Sequence, residues 1–378
     1  MTNPAPLAAR YTDPSPRSLR PVEESDFAPS NAERVLLTGA SGMLGRESAL
    51  ALLRAGYTVR VFQRSDSGIA ALLPDIIRPR FEQVRGSLTN RQAIEQALTG
   101  VNGIVHAAAK VSVSGDWRDY ERVNIEGTKS LLDAAVEHAI PKFLYISSPS
   151  VAHAGAALVG AGNGDASPEH ARGNYARSKA VAEKAVLQMN GTALSTGEHL
   201  CTGALRPHLI WGPGDTQLVE RILERARAGR LPLLSGGTGL IDTLYIDNAA
   251  DAVVHGYERL EELAGRAVVV TNGQPRTVAE LMSGFCTAVG VPAPRFSVPA
   301  PVAVVAGRLI EKVWALLPHS VTAGDEPPMT GFLAEQLSTA HWFDQRNTRE
   351  LLGWEPAVSI EEGYERLRLF YGDKYSRP

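Results

Sequence analysis

Three glycines follow a short apolar segment at the point, near residue 34, where strand and helix patterns begin in this 378-residue chain. The segment 34–38 is typical of a buried strand, and Gly39, Gly42 and Gly45 come next in the spacing G-x-x-G-x-x-G, opening a predicted helix. Glycine lets the backbone turn sharply and approach a pyrophosphate, whose charge the N-terminus of the helix stabilises. This junction therefore predicts a parallel sheet that binds a dinucleotide.

Strand and helix patterns keep alternating along the chain. Further strands are predicted at 58–62, 80–84, 103–106, 142–147, 200–206 and 267–271, and helices at 45–55, 90–98, 117–138, 175–189, 217–227, 247–263 and 277–289. Such alternation is typical of an α/β fold, here a Rossmann-type doubly wound parallel sheet with a smaller C-terminal substrate-binding lobe.

The patterns also divide the chain. We expect the proline-rich residues 1–31 to form a disordered N-terminal extension. Residues 32–206 are expected to form the Rossmann core, which carries the catalytic residues. Residues 207–378 are expected to form mainly the substrate-binding lobe, with 242–275 returning to the core.

Composition excludes several classes of protein. The chain carries 38 Lys and Arg against 41 Asp and Glu, a formal net charge of −3, so charge gives no reason to expect a nucleic-acid partner. Cys201 and Cys286 are too few for a disulfide framework or a four-thiolate zinc site, and no metal is expected. Charges and prolines interrupt the longest apolar-rich stretch, 298–317, so no transmembrane segment is expected. The first twenty residues lack the apolar run of a secretion signal, and we expect a cytoplasmic protein.

Tyr175 and Lys179 carry the strongest catalytic signal. Their i, i+4 spacing on a predicted helix puts the phenol and the ammonium on one face, where the charge is expected to lower the pKa of the phenol. Ser147, Ser148 and Ser150 follow a predicted strand, and each offers a hydroxyl for the oxygen of a substrate at the sheet edge where ligands bind.

The end of the second predicted strand bears on the choice of cofactor. An acidic residue there would bind the ribose hydroxyls of NAD and repel a 2′-phosphate. This chain instead has Arg64 and Ser65, which can bind phosphate oxygens, so NADP(H) is preferred and NAD(H) stays open. The alternative is that Arg64 is an ordinary surface arginine.

Together, the glycine turn, the Tyr-x-x-x-Lys pair and the serines resemble the extended short-chain dehydrogenase/reductases. The run Arg-Pro-His-Leu-Ile-Trp-Gly-Pro-Gly-Asp at 206–215 and the segment 241–252 resemble the 3β-hydroxysteroid dehydrogenase family. Within it, the chain is most similar to bacterial 2-alkyl-3-oxoalkanoate reductases of long-chain olefin biosynthesis.

This resemblance implies roles for individual residues. It selects Ser148 as the catalytic hydroxyl beside Tyr175 and Lys179. It gives Asn124 a structural or proton-relay role, and the alternative that Asn124 is an ordinary polar residue of the helix stays open. The implied cofactor-binding residues are Gly39, Ser41, Gly42, Met43, Leu44, Gly45, Arg64, Ser87, Leu88, Ala107, Tyr175, Lys179 and Pro207. Ser87 stands where the family often has Asp. His106 is expected to be a packed residue that supports others.

The activity implied is NADPH-dependent reduction of a long-chain 2-alkyl-3-oxo acid, with the proton from Tyr175. Arg206 and His208 are candidates for binding the carboxylate of the acid by their place in the sequence. The apolar residues of 297–317 and 327–342 suit core packing, an alkyl channel or contact with a membrane surface.

Several alternatives stay open. The same residues serve a 3β-hydroxysteroid or 4-carboxysterol 3-dehydrogenase, and the fold also serves nucleotide-sugar epimerases and dehydratases. A non-enzymatic scaffold is disfavoured because Ser148, Tyr175 and Lys179 are all present. By resemblance we also expect a homodimer formed through helices 117–138 and 175–189, and assembly with other olefin-pathway enzymes.

Overall fold

A computed structural model describes residues 22–111, 115–153, 157–316 and 338–375 of the chain. Its centre is a seven-stranded parallel sheet in the order β12-β7-β5-β4-β1-β2-β3. Its strands are β1 (Arg34–Thr38), β2 (Thr58–Gln63), β3 (Phe81–Arg85), β4 (Gly103–His106), β5 (Lys142–Ile146), β7 (Cys201–Pro207) and β12 (Ala267–Val270). The predicted Rossmann-type doubly wound α/β fold is confirmed.

Helices cover both faces of this sheet because successive strand residues point to opposite sides. In β1, Val35 and Leu37 pack with the cluster that includes α1 and α7, while Leu36 packs with the cluster that includes α2, α4 and α5. The helices of the core are α1 (Met43–Arg54), α2 (Arg91–Leu98), α3 (Trp117–Tyr120), α4 (Gly127–Glu137), α5 (Gly173–Gln188), α7 (Ile246–Glu258) and α8 (Leu260–Leu263).

The C-terminal lobe is built from shorter strands. A four-stranded sheet has the order β13-β10-β15-β6, and two-stranded parallel pairs join β11 to β8 and β14 to β9. These strands are β6 (Leu158–Ala161), β8 (Ile210–Trp211), β9 (Leu233–Leu234), β10 (Leu240–Ile241), β11 (Leu244–Tyr245), β13 (Arg276–Thr277), β14 (Ser297–Val298) and β15 (His341–Phe343).

Apolar packing holds the helices of the lobe together. One cluster of buried residues runs from Trp211 through Phe285 to Tyr371. The helices are α6 (Val219–Arg227), α9 (Val278–Ala288), α10 (Ala300–Leu316), α11 (Arg346–Leu352) and α12 (Ile360–Tyr375). Within the predicted returning segment 242–275, β12 pairs with β7 and α7 packs on α1, so these elements complete the core.

The structure differs from the sequence prediction at the N-terminus. Residues 1–21 lie outside the described residues, but the segment 22–31, predicted to be disordered, packs against the core. Ala28 N donates to Arg54 O at 2.8 Å, and the guanidinium of Arg80 lies 5.6 Å from the centre of the Phe27 ring. The hydrogen bond and the ring contact anchor a proline-containing segment whose sequence has no periodic apolar pattern.

The predicted helix 117–138 is also different in detail. It consists of α3, a π-helical turn over Glu121–Glu126, and α4. A π-turn adds one residue to a helical turn, which a 3.6-residue period does not reveal, and such turns are frequent at functional sites. None of the helices in the described ranges is long and apolar enough to cross a membrane.

Candidate active site

The glycine turn lies where β1 meets α1. Gly39 has φ +83°, and a Cβ there would lie 2.8 Å from Ala108 N, while a Cβ at Gly45 would lie 2.2 Å from Gly39 O. Both positions need glycine for packing alone. A Cβ at Gly42 would meet Gly39 O at an ordinary 3.5 Å, and Gly42 is the exposed N-cap of α1. Room therefore remains at Gly42 for a ligand phosphate, which fits a dinucleotide.

Ser148 and Tyr175 meet at the C-terminal edge of the sheet. Ser148 caps a short 3₁₀ turn, Pro149–Val151, that follows β5, and its hydroxyl shares hydrogen bonds with Tyr175 and with Ser150 Oγ at 2.9 Å. Burial raises the pKa of Tyr175 to about 12, and the hydrogen bond with Ser148 acts in the opposite direction. The phenol is therefore a proton donor at neutral pH.

The three candidate serines have different surroundings. Ser147 is buried and its hydroxyl has no hydrogen-bond partner among the described residues, whereas Ser148 is half-buried and contacts Tyr175. The Ser150 hydroxyl bonds to the Ser148 hydroxyl, and it is Ser148 that bonds to the phenol. This arrangement supports Ser148 as the hydroxyl that faces a substrate.

Lys179 lies one turn after Tyr175 on α5 and is almost fully buried. Its Nζ donates to Ile146 O at 2.5 Å and lies 4.0 Å from the centre of the Tyr145 ring. Burial lowers the pKa of Lys179 to about 7, and the charge of Glu183 opposes this shift. The Lys179 ammonium therefore lies in the same buried region as the Tyr175 phenol, one helical turn away on α5.

Asn124 lies in the π-turn and is buried. Its Oδ1 accepts from Lys110 N at 2.7 Å, and its Nδ2 donates to Lys110 O at 3.1 Å and to Ser178 Oγ at 2.9 Å. The Ser178 hydroxyl in turn donates to Tyr175 O at 2.8 Å. Asn124 thus joins the loop after β4 to helix α5.

The other predicted cofactor residues surround the same sheet edge. Arg64 is exposed just beyond β2, where Gln63 Nε2 donates to Ser65 O at 2.8 Å. Leu88 is buried, and Ser87 Oγ lies 2.9 Å from Thr89 Oγ1. The remaining predicted residues occupy the turn and start of α1 (Ser41, Met43, Leu44), the end of β4 (Ala107) and the end of β7 (Pro207).

Both predicted carboxylate ligands have other partners, which corrects the sequence prediction. Arg206 is 1% exposed and makes a two-pronged ion pair with Glu183, Nε to Oε2 at 2.9 Å and Nη2 to Oε1 at 2.5 Å. Its Nη1 donates to Asn163 O and to Gly164 O. His208 Nδ1 donates to Asp242 O at 2.5 Å, and burial lowers the pKa of His208 to about 4. A neutral imidazole bonded in this way offers an acceptor, not a donor, to a carboxylate.

Sequence reasoning missed the residues that support this site. Glu183 follows Lys179 by four residues on the same helix face, and this spacing was a signal for it. Thr38, Thr128 and Ser178 are small polar residues within apolar elements and carry no comparable signal. No group of three or more His, Cys, Asp or Glu in the described ranges could hold a metal ion.

Comparison with known proteins places this site in a family. The sequence matches the 3-beta hydroxysteroid dehydrogenase/isomerase family over residues 36–300. It is 38% identical to the 2-alkyl-3-oxoalkanoate reductase of Stenotrophomonas maltophilia, over 89% of this chain and 98% of that protein. The chain belongs to the 3-beta hydroxysteroid dehydrogenase/isomerase family. It is therefore an oxidoreductase that uses a nicotinamide cofactor.

Further relatives are similar in sequence, and a solved structure is similar in fold. The 2-alkyl-3-oxoalkanoate reductase of Shewanella oneidensis is 35% identical over 91% of this chain and 87% of its own. The mouse sterol-4-alpha-carboxylate 3-dehydrogenase, decarboxylating, is 29% identical over 89% and 90%. A UDP-glucuronic acid 4-epimerase from Bacillus cereus in complex with NAD has the same extended fold, with TM-score 0.67, 19% identity and coverage of 90% and 99%.

Proposed function

We propose that the protein uses NADPH to reduce a long-chain 2-alkyl-3-oxoalkanoic acid to the 2-alkyl-3-hydroxyalkanoic acid. The observation that carries this proposal is the meeting of the Tyr175 phenol with the Ser148 hydroxyl at the C-terminal edge of the sheet. Reduction of a ketone needs a proton donor at that point, and the phenol can supply the proton. The relatives named 2-alkyl-3-oxoalkanoate reductase, 38% and 35% identical, support the substrate class.

Each of the site residues has a separate role in this reaction. The ketone oxygen accepts hydrogen bonds from the hydroxyls of Ser148 and Tyr175, which polarise the carbonyl and fix its position. A reduced nicotinamide, when bound, supplies the hydride that the carbonyl carbon accepts. Tyr175 then gives its hydroxyl proton to the resulting alkoxide. The nearby buried Lys179 stabilises the phenolate left behind whenever its amine is protonated.

Two features support NADPH over NADH. The exposed guanidinium of Arg64 stands just beyond β2, and neither Gln63 nor Ser65 beside it carries a negative charge. Asp66, the next residue, is engaged by Gly68 N at 3.0 Å and by Arg85 at 3.3 Å. Arg64 is therefore free of a carboxylate partner among the described residues, which suits a 2′-phosphate.

The first test runs the reaction in the oxidative direction, because β-keto acids decarboxylate. Purified protein receives NADP⁺ or NAD⁺ with a long-chain 2-alkyl-3-hydroxy acid, a 3β-hydroxysteroid or a 4-carboxysterol, and reduced nicotinamide is followed by absorbance. We expect turnover of the alkyl hydroxy acid with NADP⁺. Arg64→Ala should raise the KM for NADP⁺ about tenfold, the loss of one charge-assisted phosphate contact, and the exposed Arg78→Ala should not.

Turnover confined to a sterol would overturn the substrate assignment. A 4-carboxysterol 3-dehydrogenase is the second candidate, because the mouse relative carries that name and its substrate is also a β-hydroxy acid on a large apolar body. A preference for NAD⁺ that Arg64→Ala leaves unchanged would show that Arg64 is an ordinary surface residue.

The same proposal includes a homodimer formed through the helical segments 117–138 and 175–189, and a cytoplasmic location. It also includes assembly with the β-lactone-forming and decarboxylating enzymes of olefin synthesis. Light scattering of the purified chain, alone and mixed with such enzymes, tests both associations. A monomer that does not associate with them would contradict this part of the proposal.

A further inference from the structure

A chain of buried polar side chains crosses the sheet beneath the active site. Thr38 at the end of β1, His106 at the end of β4 and Thr128 at the start of α4 are each at most 1% exposed. Thr38 Oγ1 lies 2.7 Å from His106 Nδ1, and His106 Nε2 lies 2.9 Å from Thr128 Oγ1. The reaction described above uses none of these three side chains.

The neighbours of the chain fix the direction of every hydrogen bond in it. Thr128 Oγ1 donates to Asn124 O at 2.7 Å, so it must accept from His106 Nε2–H. His106 Nδ1 is then unprotonated and accepts from the Thr38 hydroxyl, which itself accepts from Ala108 N at 3.0 Å. Each hydroxyl both accepts and donates, an arrangement in which successive bonds polarise one another.

His106 is a neutral member of this chain. Burial and, to a lesser degree, the charge of Lys179 lower the pKa of His106 to about 3. No proton is therefore expected to pass through His106 between pH 5 and 9, and its imidazole acts as a fixed bridge between two hydroxyl groups.

The two ends of the chain reach the two halves of the active site. At one end Thr38 and Ala108 adjoin Gly39, whose missing Cβ would lie 2.8 Å from Ala108 N. At the other end Asn124 continues through Ser178 Oγ at 2.9 Å to Tyr175 O at 2.8 Å. Side chains, together with the backbone groups of Ala108, Asn124 and Tyr175, thus link the cofactor-binding loops to helix α5.

We propose that His106 and Thr128 are positioning residues that hold helix α5, and with it Tyr175, at a fixed distance from the loops that bind the cofactor. This role, which rests on the proposed use of Tyr175 as proton donor, needs the imidazole to bridge two hydroxyl groups at once. A side chain that bonds to only one of them no longer links the end of β4 to Thr128, so the π-turn that carries Asn124, and with Asn124 its bonds to Lys110 and Ser178, can shift.

Three threonine variants separate positioning from general stability. Thr128→Val keeps the shape and removes the hydroxyl, and Thr128→Ser restores it. Thr202→Val is the matched control, because Thr202 is fully buried in β7 and its hydroxyl has no hydrogen-bond partner in the described part of the chain. We expect Thr128→Val to lower kcat about 10- to 100-fold at little change in the cofactor KM, the effect of a misplaced reacting group.

The conservative and control variants complete the kinetic test. Thr128→Ser should recover most of the wild-type kcat, and Thr202→Val should match the wild type. Wild-type kcat in Thr128→Val, or an equal loss in Thr202→Val, would overturn the positioning role.

Amide hydrogen exchange provides a readout that needs no substrate. The amides of Ala108 and Lys110 bond to Thr38 Oγ1 and Asn124 Oδ1, so they should exchange faster in Thr128→Val and at wild-type rates in Thr128→Ser. Unchanged exchange in Thr128→Val would also overturn the proposal. A wild-type protein without turnover on any offered substrate, but with the predicted exchange, would instead count against the proposed function.

Discussion

The Rossmann core and the C-terminal lobe both have apolar interiors but differ in the contacts that surround their functional and structural centres. In the core, buried polar side chains such as Asn124, His106 and Lys179 are bonded to one another or to backbone at the edge of long parallel strands. In the lobe, strands of two to four residues frame aromatic packing, with the rings of Trp211 and Phe285 4.9 Å apart. Hydrogen bonds in the core therefore hold side chains in the fixed orientations that catalysis needs, whereas the lobe is held mainly by the packing of aromatic side chains.

This difference predicts where substitutions act. A hydrogen bond is directional, and a buried polar group left without its partner costs more than the bond itself contributes. Aromatic packing depends on volume and tolerates small changes of shape. Removing one side-chain oxygen atom should therefore lower activity or stability strongly in the core and only slightly in the lobe.

The largest expected effect is that of Tyr175→Phe. The variant keeps the ring and removes the proton donor, so kcat should fall about 10²- to 10⁴-fold, the usual range for a general acid. Cofactor affinity, measured by nicotinamide fluorescence, should stay near that of the wild type. The lobe control is Tyr364→Phe, whose ring lies 5.7 Å from that of Trp211 and should keep wild-type kcat. Full turnover by Tyr175→Phe would remove Tyr175 from the reaction.

A smaller effect, on stability, is expected at the buried ion pair of the core. Arg206→Met leaves Glu183, which is fully buried, without its cation, and this should lower the free energy of unfolding by about 3–5 kcal/mol. Adding Glu183→Leu should recover much of that loss, because the buried carboxylate that lost its guanidinium partner is then removed. Urea unfolding followed by circular dichroism measures both variants.

The matched pair at the lobe sharpens this comparison. Arg366 and Asp247 join α12 to α7 at 2.7 Å, but their side chains are 11% and 6% exposed and Glu362 also bonds to Arg366. Water can replace part of the lost interaction, so Arg366→Met should cost less than Arg206→Met. Equal losses in the free energy of unfolding would show that the core does not depend on its polar contacts more strongly than the lobe does.

Sequence patterns predicted those parts of the molecule whose chemistry is local. The glycine turn and the Tyr175–Lys179 pair lie within single junctions or helices, so spacing alone revealed them. The link from Thr38 through His106 to Thr128 joins three elements, and nothing in the sequence marks it. Arg206 could be assigned to a strand end, but its partner Glu183 depends on how that strand packs on α5.

The lobe was harder to predict for a physical reason. Strands of two residues, such as β9 and β13, are too short to show an alternating pattern. The four-stranded sheet also pairs Leu158 with His341, which are far apart in the sequence, so no short-range turn signals their contact. Burial of aromatic residues there follows from composition, but the register of the strands does not.

The smallest expected effect is the pH dependence that His106 gives to the stability of the core. Its pKa is about 3 in the folded protein and near 6.5 when unfolded, so the unfolded state binds the proton more tightly. Stability is then complete above pH 6.5 and falls as the pH drops below that value. At pH 5 the loss amounts to about 2 kcal/mol relative to pH 8.

Comparison of the wild type with His106→Asn isolates this contribution. Asp242, beside the lobe, has its pKa raised to about 6 by burial, so its contribution has the opposite sign and falls as the pH rises from about 4 to 6. Both proteins contain Asp242, and its effect cancels in the difference. Urea unfolding at pH 8 and pH 5 should show the wild type losing about 2 kcal/mol more than His106→Asn. Equal losses would mean that His106 is not buried as a neutral group, and the polar core would then lack the bridge that joins its two halves.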